Sequence, residues 1–209
     1  ELLMEEKFRN YSEKYWNSRT MAPSALLYYV GFDKKVENVS HHTLFFDTDF
    51  KEHAEMIYDE PGWPDKPLFY ASFTSITDDS VAPAGKENAV FLIPLAPGIE
   101  DDEATREKYF NQILNRMEGM IKQKLSDSVI FKKSYCVSDF KRDYNAFRGN
   151  AYGLANTLRQ TGFLKPRLES KKIRNLLYTG QLTVPGPGVP PTIISGKITA
   201  GLADKKLKK

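Results

Sequence analysis

Two neighbouring runs decide the fold: AVFLIPL at residues 89–95, and EATREKYFNQILNRMEGMIKQKL at residues 103–125. The first carries Val90, Phe91, Leu92 and Ile93 in an unbroken apolar run and reads as a strand. The second places Phe110, Ile113, Leu114, Met117, Ile121 and Leu125 on one helical face with charges opposite. Leu68 to Ile76, rich in aromatic and hydroxyl residues, is the clearest further strand. Ala25 to Val30, closed by Gly31, reads as a buried strand, and Thr43 to Asp47 as a short one. Asp49 to Tyr58 predicts a short helix, stopped by Pro61, Gly62, Pro64 and Pro67. Val129 to Phe131 and Tyr135 to Val137 are short apolar runs. Residues 1–17 carry Leu2, Leu3, Phe8, Tyr11, Tyr15 and Trp16 at ragged helical spacing and predict a helix. Strands with short connections followed by one long helix argue an α+β fold built on a mostly antiparallel sheet.

The 209 residues suit one domain or a domain with a lobe, and 26 aromatic residues exclude a disordered chain. The longest uncharged apolar stretch, Leu176 to Gly196, contains Pro185, Pro187, Pro190 and Pro191, which exclude a membrane-spanning helix there. The acidic, amphipathic start does not read as a signal peptide. A single cysteine, Cys136, excludes a disulfide framework and a cysteine-rich metal site, and suits a reducing compartment. The net charge of +3 hides an asymmetry. Residues 1–120 carry 12 Lys/Arg against 22 Asp/Glu, residues 121–175 carry 13 against 4, and residues 176–209 carry 5 against 1. A basic second half could face phosphates, an anionic membrane or nucleic acid; the plainer reading is that the two halves neutralise each other.

Chemistry concentrates in the last forty residues. Leu176 to Tyr178 reads as a short strand ending at Gly180, then a turn-rich loop runs from Val184 to Pro190. A helix is predicted over Pro191 to Ala203, with proline at its first position. Strand, glycine loop and helix start form a physical recipe for holding an anion or an electron-rich ring edge. Gly186 and Gly188 would allow close backbone approach. The run fails the dinucleotide fingerprint, because its sixth position is Pro191, and no Lys-Ser/Thr pair makes it a P-loop. On local pattern alone, a proline-stiffened turn leading into a packing helix explains it equally well. Elsewhere, His41, His42 and His53 read as surface histidines, the adjacent pair making a poor chelate. Asp78, Asp79 and Glu100 to Glu103 read as solvated acids, Cys136 as a core residue and Lys205 to Lys209 as a solvated tail. No residue stands out as a catalytic acid or base, and no metal site is expected.

The run Asn175-Leu-Leu-Tyr178-Thr-Gly180-Gln-Leu-Thr183-Val-Pro185-Gly186-Pro-Gly188-Val189 resembles the C-terminal signature of bacterial-type phytoene desaturases. Gly149-Asn-Ala-Tyr-Gly153-Leu, Gln160, Phe163 and Pro166 resemble the pattern upstream of that signature. Asn10-Tyr-Ser-Glu-Lys-Tyr-Trp16, Ala22-Pro23-Ser24 and Val30-Gly31 resemble the start of the family's substrate domain. The likeness covers nearly the whole chain, and departs from the pattern at Gln181, Leu182, Pro187 and Pro191.

The resemblance implies an FAD-dependent oxidoreductase that dehydrogenates a long apolar isoprenoid or carotenoid chain by hydride transfer to flavin. Gly180 and Gln181 would then lie near the ribityl or pyrophosphate portion, and Gly188, Val189 and Pro190 near the flavin ring. Residues 1–148 would be a substrate-binding domain and residues 149–209 the C-terminal strand–loop–helix of a FAD-binding domain. No G-x-G-x-x-G occurs and residue 1 is Glu, so the family's adenosine-binding half is expected before residue 1. The chain is then expected to be a C-terminal fragment, inactive alone and prone to self-association. Ala25 to Val30, Leu68 to Ile76 and Ala89 to Leu95 are the candidate walls of an apolar tunnel. A cytoplasmic protein with peripheral membrane contact and no nucleic-acid partner is expected. The same scaffold would also suit a carotenoid isomerase, saturase or oxygenase, or a stand-alone lipid-binding module without FAD.

Overall fold

The computed structural model describes residues 4–208. In chain order its elements are helix α1 (Glu13–Asn17), strands β1 (Ser24–Phe32) and β2 (His42–Phe45), helix α2 (Phe50–Tyr58), and strands β3 (Phe69–Ser72) and β4 (Glu87–Leu95). Helix α3 (Glu103–Ile121), strand β5 (Val129–Tyr135), helix α4 (Val137–Tyr144) and helix α5 (Val189–Leu207) follow. The chain divides into two units: Pro23–Ala151, and Glu1–Ala22 with Tyr152–Lys209, of which residues 4–22 and 152–208 are described. Mixed helices with an antiparallel sheet make the fold α+β, as the sequence predicts.

The Pro23–Ala151 unit is a five-stranded antiparallel sheet in the order β2-β3-β4-β1-β5. β4 alternates cleanly: Ala89, Phe91, Ile93 and Leu95 are buried, and the residues between them are half-buried. That period of two turns one face toward α3, which lays Tyr109, Phe110, Ile113, Leu114, Met117 and Ile121 into the core. Tyr28 of β1 meets Phe110 at 5.2 Å between ring centroids. α3 begins where the Asp102 carboxylate accepts the Thr105 N–H at 2.6 Å. It ends at Lys122, whose left-handed backbone (φ 59°) closes the last turn, while Asn38 donates to the freed Ile121 carbonyl at 2.9 Å.

The opposite face of the sheet carries one apolar row beside a mixed one. Register places Leu44, Tyr70, Leu92, Leu27 and Tyr135 side by side, one from each strand. The next row is His42, Ser72, Val90, Tyr29 and Lys133. None of these ten is buried, and Leu44 is 62% exposed.

Several expectations are corrected. The predicted helix over residues 1–17 is broken into a 3-10 turn at Glu6–Phe8 and the five-residue α1, residues 1–3 lying outside the described set. Ser12 restarts the helix by capping Tyr15 N–H, and the side chains before it are drawn into tertiary bonds. Asn10 accepts Lys171 N–H at 2.7 Å, and the Tyr11 hydroxyl accepts Arg167 N–H at 3.0 Å. The Leu68–Ile76 strand stops at Ser72, because the Thr74 and Ser75 hydroxyls bond to Asn88 and curl the chain into a 3-10 turn. Val129 to Tyr135 is one strand, and Val137 opens a helix that the sequence reading missed. The Leu176–Tyr178 strand is absent: only Leu177 pairs, with Glu169.

Candidate functional site

The unit formed by residues 4–22 and 152–208 has little apolar core. Among the described residues, Met21, Ala22 and Leu154 are its buried hydrophobic side chains. Polar bonds hold it instead. Gln160 reaches across the chain: its amide oxygen accepts Thr20 N–H at 3.0 Å, and its amide nitrogen donates to the Thr20 carbonyl at 2.8 Å. Ser195, fully buried on α5, stands within 3.1 Å of the Thr179 hydroxyl and 2.8 Å of the Thr183 hydroxyl, and accepts Gly180 N–H at 3.1 Å. Thr183 donates to the Gly180 carbonyl at 2.9 Å, and Thr199, one turn further along α5, donates to the Tyr178 carbonyl at 3.2 Å. A hydroxyl knot thus pins the 178–183 turn to the helix.

That knot places the sequence-derived residues. Gly180 sits inside it, at φ 105°, and Gln181 is half-buried beside it. Gly188, Val189 and Pro190 are exposed at the head of α5. The helix starts at Val189 and not at Pro191, so its two prolines fill the second and third positions. This corrects the expected supply of donors. A helix start normally leaves four free N–H groups, but here Pro190 and Pro191 have none, and Thr192 makes the first regular helical bond, to the Gly188 carbonyl at 3.0 Å. Val189 is left as the donor of the first turn, with the positive end of the helix dipole behind it.

Lys165 was not singled out by sequence, since a lysine beside a proline reads as solvated. It is only 4% exposed, and its ammonium has no hydrogen-bond partner among the described residues. Burial lowers its pKa below the ordinary lysine value. Its end lies under the glycine loop: a Cβ at Gly186 would stand 3.2 Å from its Cε and 3.4 Å from its Nζ. Gly186 has φ 137°, so the bare backbone permits both the conformation and the contact. Ser195 and Thr199 were also passed over, although their four-residue spacing on α5 is the signal of a shared hydroxyl face.

In the sheet unit, three earlier readings change. His53 is buried, with Nδ1 accepting Leu68 N–H at 3.0 Å and Nε2 donating to the Pro94 carbonyl at 2.8 Å. Burial lowers its pKa, outweighing the Pro94 bond, and Nδ1, as the acceptor of Leu68 N–H, carries no proton. His41 and His42 do not diverge, since His41 precedes β2 and the two rings lie 4.2 Å apart. Asp101 is not solvated: it pairs with Arg106 at 2.6 Å, and Arg106 also holds Asp139 at 2.8 Å. Burial alone would raise the Asp101 carboxyl, but bonds from Cys136, Arg106 and Ser138 hold it below its ordinary value. Burial, with Asp101 alongside, pushes the Cys136 thiol far up, so it is no nucleophile at neutral pH. Among the described residues, no cluster of His, Cys, Asp or Glu could hold a metal ion.

No family model matches the chain. It is 44% identical over 198 residues to a carotenoid 3,4-desaturase of Haloarcula japonica, a match covering 95% of this chain and 40% of that protein. It is 32% identical over 199 residues to a 4,4'-diapophytoene desaturase of Staphylococcus haemolyticus, covering 92% of this chain and 40% of that protein. A 4,4'-diaponeurosporene oxygenase of Staphylococcus aureus is 30% identical over 183 residues, covering 86% and 36%. The chain spans about 40% of the length of the first two relatives. Along nearly all its length, then, the chain is similar to carotenoid desaturases, the family that its C-terminal run resembles.

Proposed function

We propose that this chain is the C-terminal part of an FAD-dependent carotenoid desaturase. The sheet unit would bind the substrate, within the 1–148 span, and residues 149–209 would complete the flavin site, with an adenosine-binding half supplied from outside this chain. The observation that carries the reading is the row Leu44, Tyr70, Leu92, Leu27 and Tyr135 across the sheet. The face toward α3 is filled by core, whereas on this face that one row presents an apolar side chain from each strand. A polyene has no polar group to recognise, so an extended apolar surface is what it requires.

The turn and loop fit a flavin in kind. Gly180 is fixed by the Ser195 knot with Gln181 next to it in the turn, and Gly188, Val189 and Pro190 are exposed with the helix dipole behind them. FAD, when bound, would accept the hydride taken from the substrate. This chain's residues would orient the carbon chain and exclude water around it. Among the described residues no helix is long and apolar enough to cross a membrane, and peripheral contact with the lipid that carries such a substrate belongs to the same reading.

The test is binding of lycopene, followed by the red shift of its absorption bands. Saturable binding that Leu92→Asp abolishes is the expected result. Equal binding by wild type and variant would sink the assignment of this face. Relatives of the chain include an oxygenase, so products of phytoene incubated with flavin and the protein carrying this chain are read second. Added double bonds support the desaturase; an oxygenated, isomerised or saturated product replaces it, and binding without flavin dependence favours a lipid-binding module.

A further inference from the structure

A second recognition site lies in the unit of residues 4–22 and 152–208. A cleft of about 440 Å³ is lined by Lys165, Arg167, Lys171 and Glu169, with Val184 and Leu202 on its wall. Three of the four charged side chains are cationic. The acid, Glu169, is held by Lys206 at 2.9 Å, which leaves the cleft positive. Four nearby backbone donors are engaged: Arg167 N–H goes to Tyr11, Lys171 N–H to Asn10, and Lys172 and Ile173 N–H to Ser170. The charge of an anion here would be met by the side-chain cations.

Lys165 makes the cleft a site and not a patch of surface charge. A buried ammonium without a partner is costly, and its neutral form is favoured by the same burial. Removing this one group would relieve the cost, so its presence calls for a negative partner that restores the charge balance. Phosphate fits: it is compact, multiply charged and accepts several charge-assisted bonds from lysine and arginine at once. Gly186, with no side chain, keeps the loop close above the ammonium.

We propose that this cleft binds a phosphate group, with Lys165 as its buried counter-charge and Arg167 at its rim. The phosphate could belong to a flavin nucleotide or be free, and the assignment goes beyond the flavin reading of the turn and helix.

The experiment uses the wild-type chain, Lys165→Met and Arg167→Gln, with inorganic pyrophosphate, FAD and riboflavin as separate probes. Thermal melting and titration calorimetry are the readouts. Lys165→Met is expected to melt higher than wild type without ligand, because the unpaired charge is gone. Its affinity for pyrophosphate should fall by about 10- to 100-fold, the worth of a hydrogen bond to a charged group. Arg167→Gln, at the exposed rim, should weaken binding by a smaller factor and leave the ligand-free melting point where it was. Stabilisation by both pyrophosphate and FAD but not riboflavin assigns the phosphate to the nucleotide. Stabilisation by pyrophosphate alone keeps the site and counts against the flavin reading. Wild type that ignores pyrophosphate and FAD overturns the proposal. So does a Lys165→Met chain that melts lower or fails to fold, or that binds pyrophosphate as wild type does. FAD binding that survives Lys165→Met unchanged, while pyrophosphate binding is lost, assigns the cleft to a free phosphate and leaves the flavin reading standing.

Discussion

The two units are held by different forces. The sheet unit buries a continuous set of aromatic and aliphatic side chains between β1, β3, β4 and α3, and the hydrophobic effect carries it. In the other unit polar side chains share the interior: Gln160, Lys165, Thr183 and Ser195 are buried alongside Met21, Ala22 and Leu154. Hydrogen bonds are individually modest but geometrically demanding. A unit built on them has a defined shape and little stability to spare, which is the property expected of a part that completes a site when a ligand arrives.

The largest blow to this contrast is Phe91→Ala. Phe91 is fully buried in β4, with Phe69 and Phe73 edge-on at 6.3 and 6.2 Å. The loss should be about 3–5 kcal/mol, read as a lower urea midpoint of the sheet unit. Ser195→Ala should cost about 1–2 kcal/mol, since it strips the Gly180 N–H of its partner. Faster hydrogen exchange at the Gly180 amide, with the core of the sheet unit still protected, is the expected reading. Uniform exchange across both units would erase the distinction.

The smallest effects come from pH; the two groups share a sign, stability rising with pH, and differ in window. His53 has a folded pKa below its ordinary 6.5, so the unfolded chain binds the proton more readily. Stability is therefore present above that value and lost as pH falls through and below it. Lys165 has a folded pKa below its ordinary 10.5, so stability in its unit should climb as pH rises toward that value. Hydrogen exchange followed against pH in wild type, His53→Leu and Lys165→Met checks both: each slope should vanish with its own substitution.

Legibility in the sequence followed the same division. β4 and α3 could be read because local periodicity and long-range burial agree there, residue by residue. Leu2 to Trp16 has helical spacing, but Ser12 caps a new start, and Asn10 and Tyr11 find partners more than 150 residues away. Leu176 to Tyr178 has strand character without a strand to pair with. Val137 looked like part of an apolar run because the helix start at Cys136 is set by Asp139, which accepts the Cys136 N–H at 2.9 Å. Of the candidate site, the glycines were visible as backbone punctuation. Ser195 and Lys165 were not, because a serine in a helix and a lysine before a proline acquire meaning only from what surrounds them.

The row of Leu44, Tyr70, Leu92, Leu27 and Tyr135 has a direction as well as a character. It runs across the strands, so its length is set by strand spacing: four steps of roughly 4.8 Å, or about 19 Å. A carbon chain lying along it would meet one rung from each strand in turn. The sheet would then act as a ruler, on which a change in β2 alters the grip at one end of the substrate and a change in β5 the grip at the other.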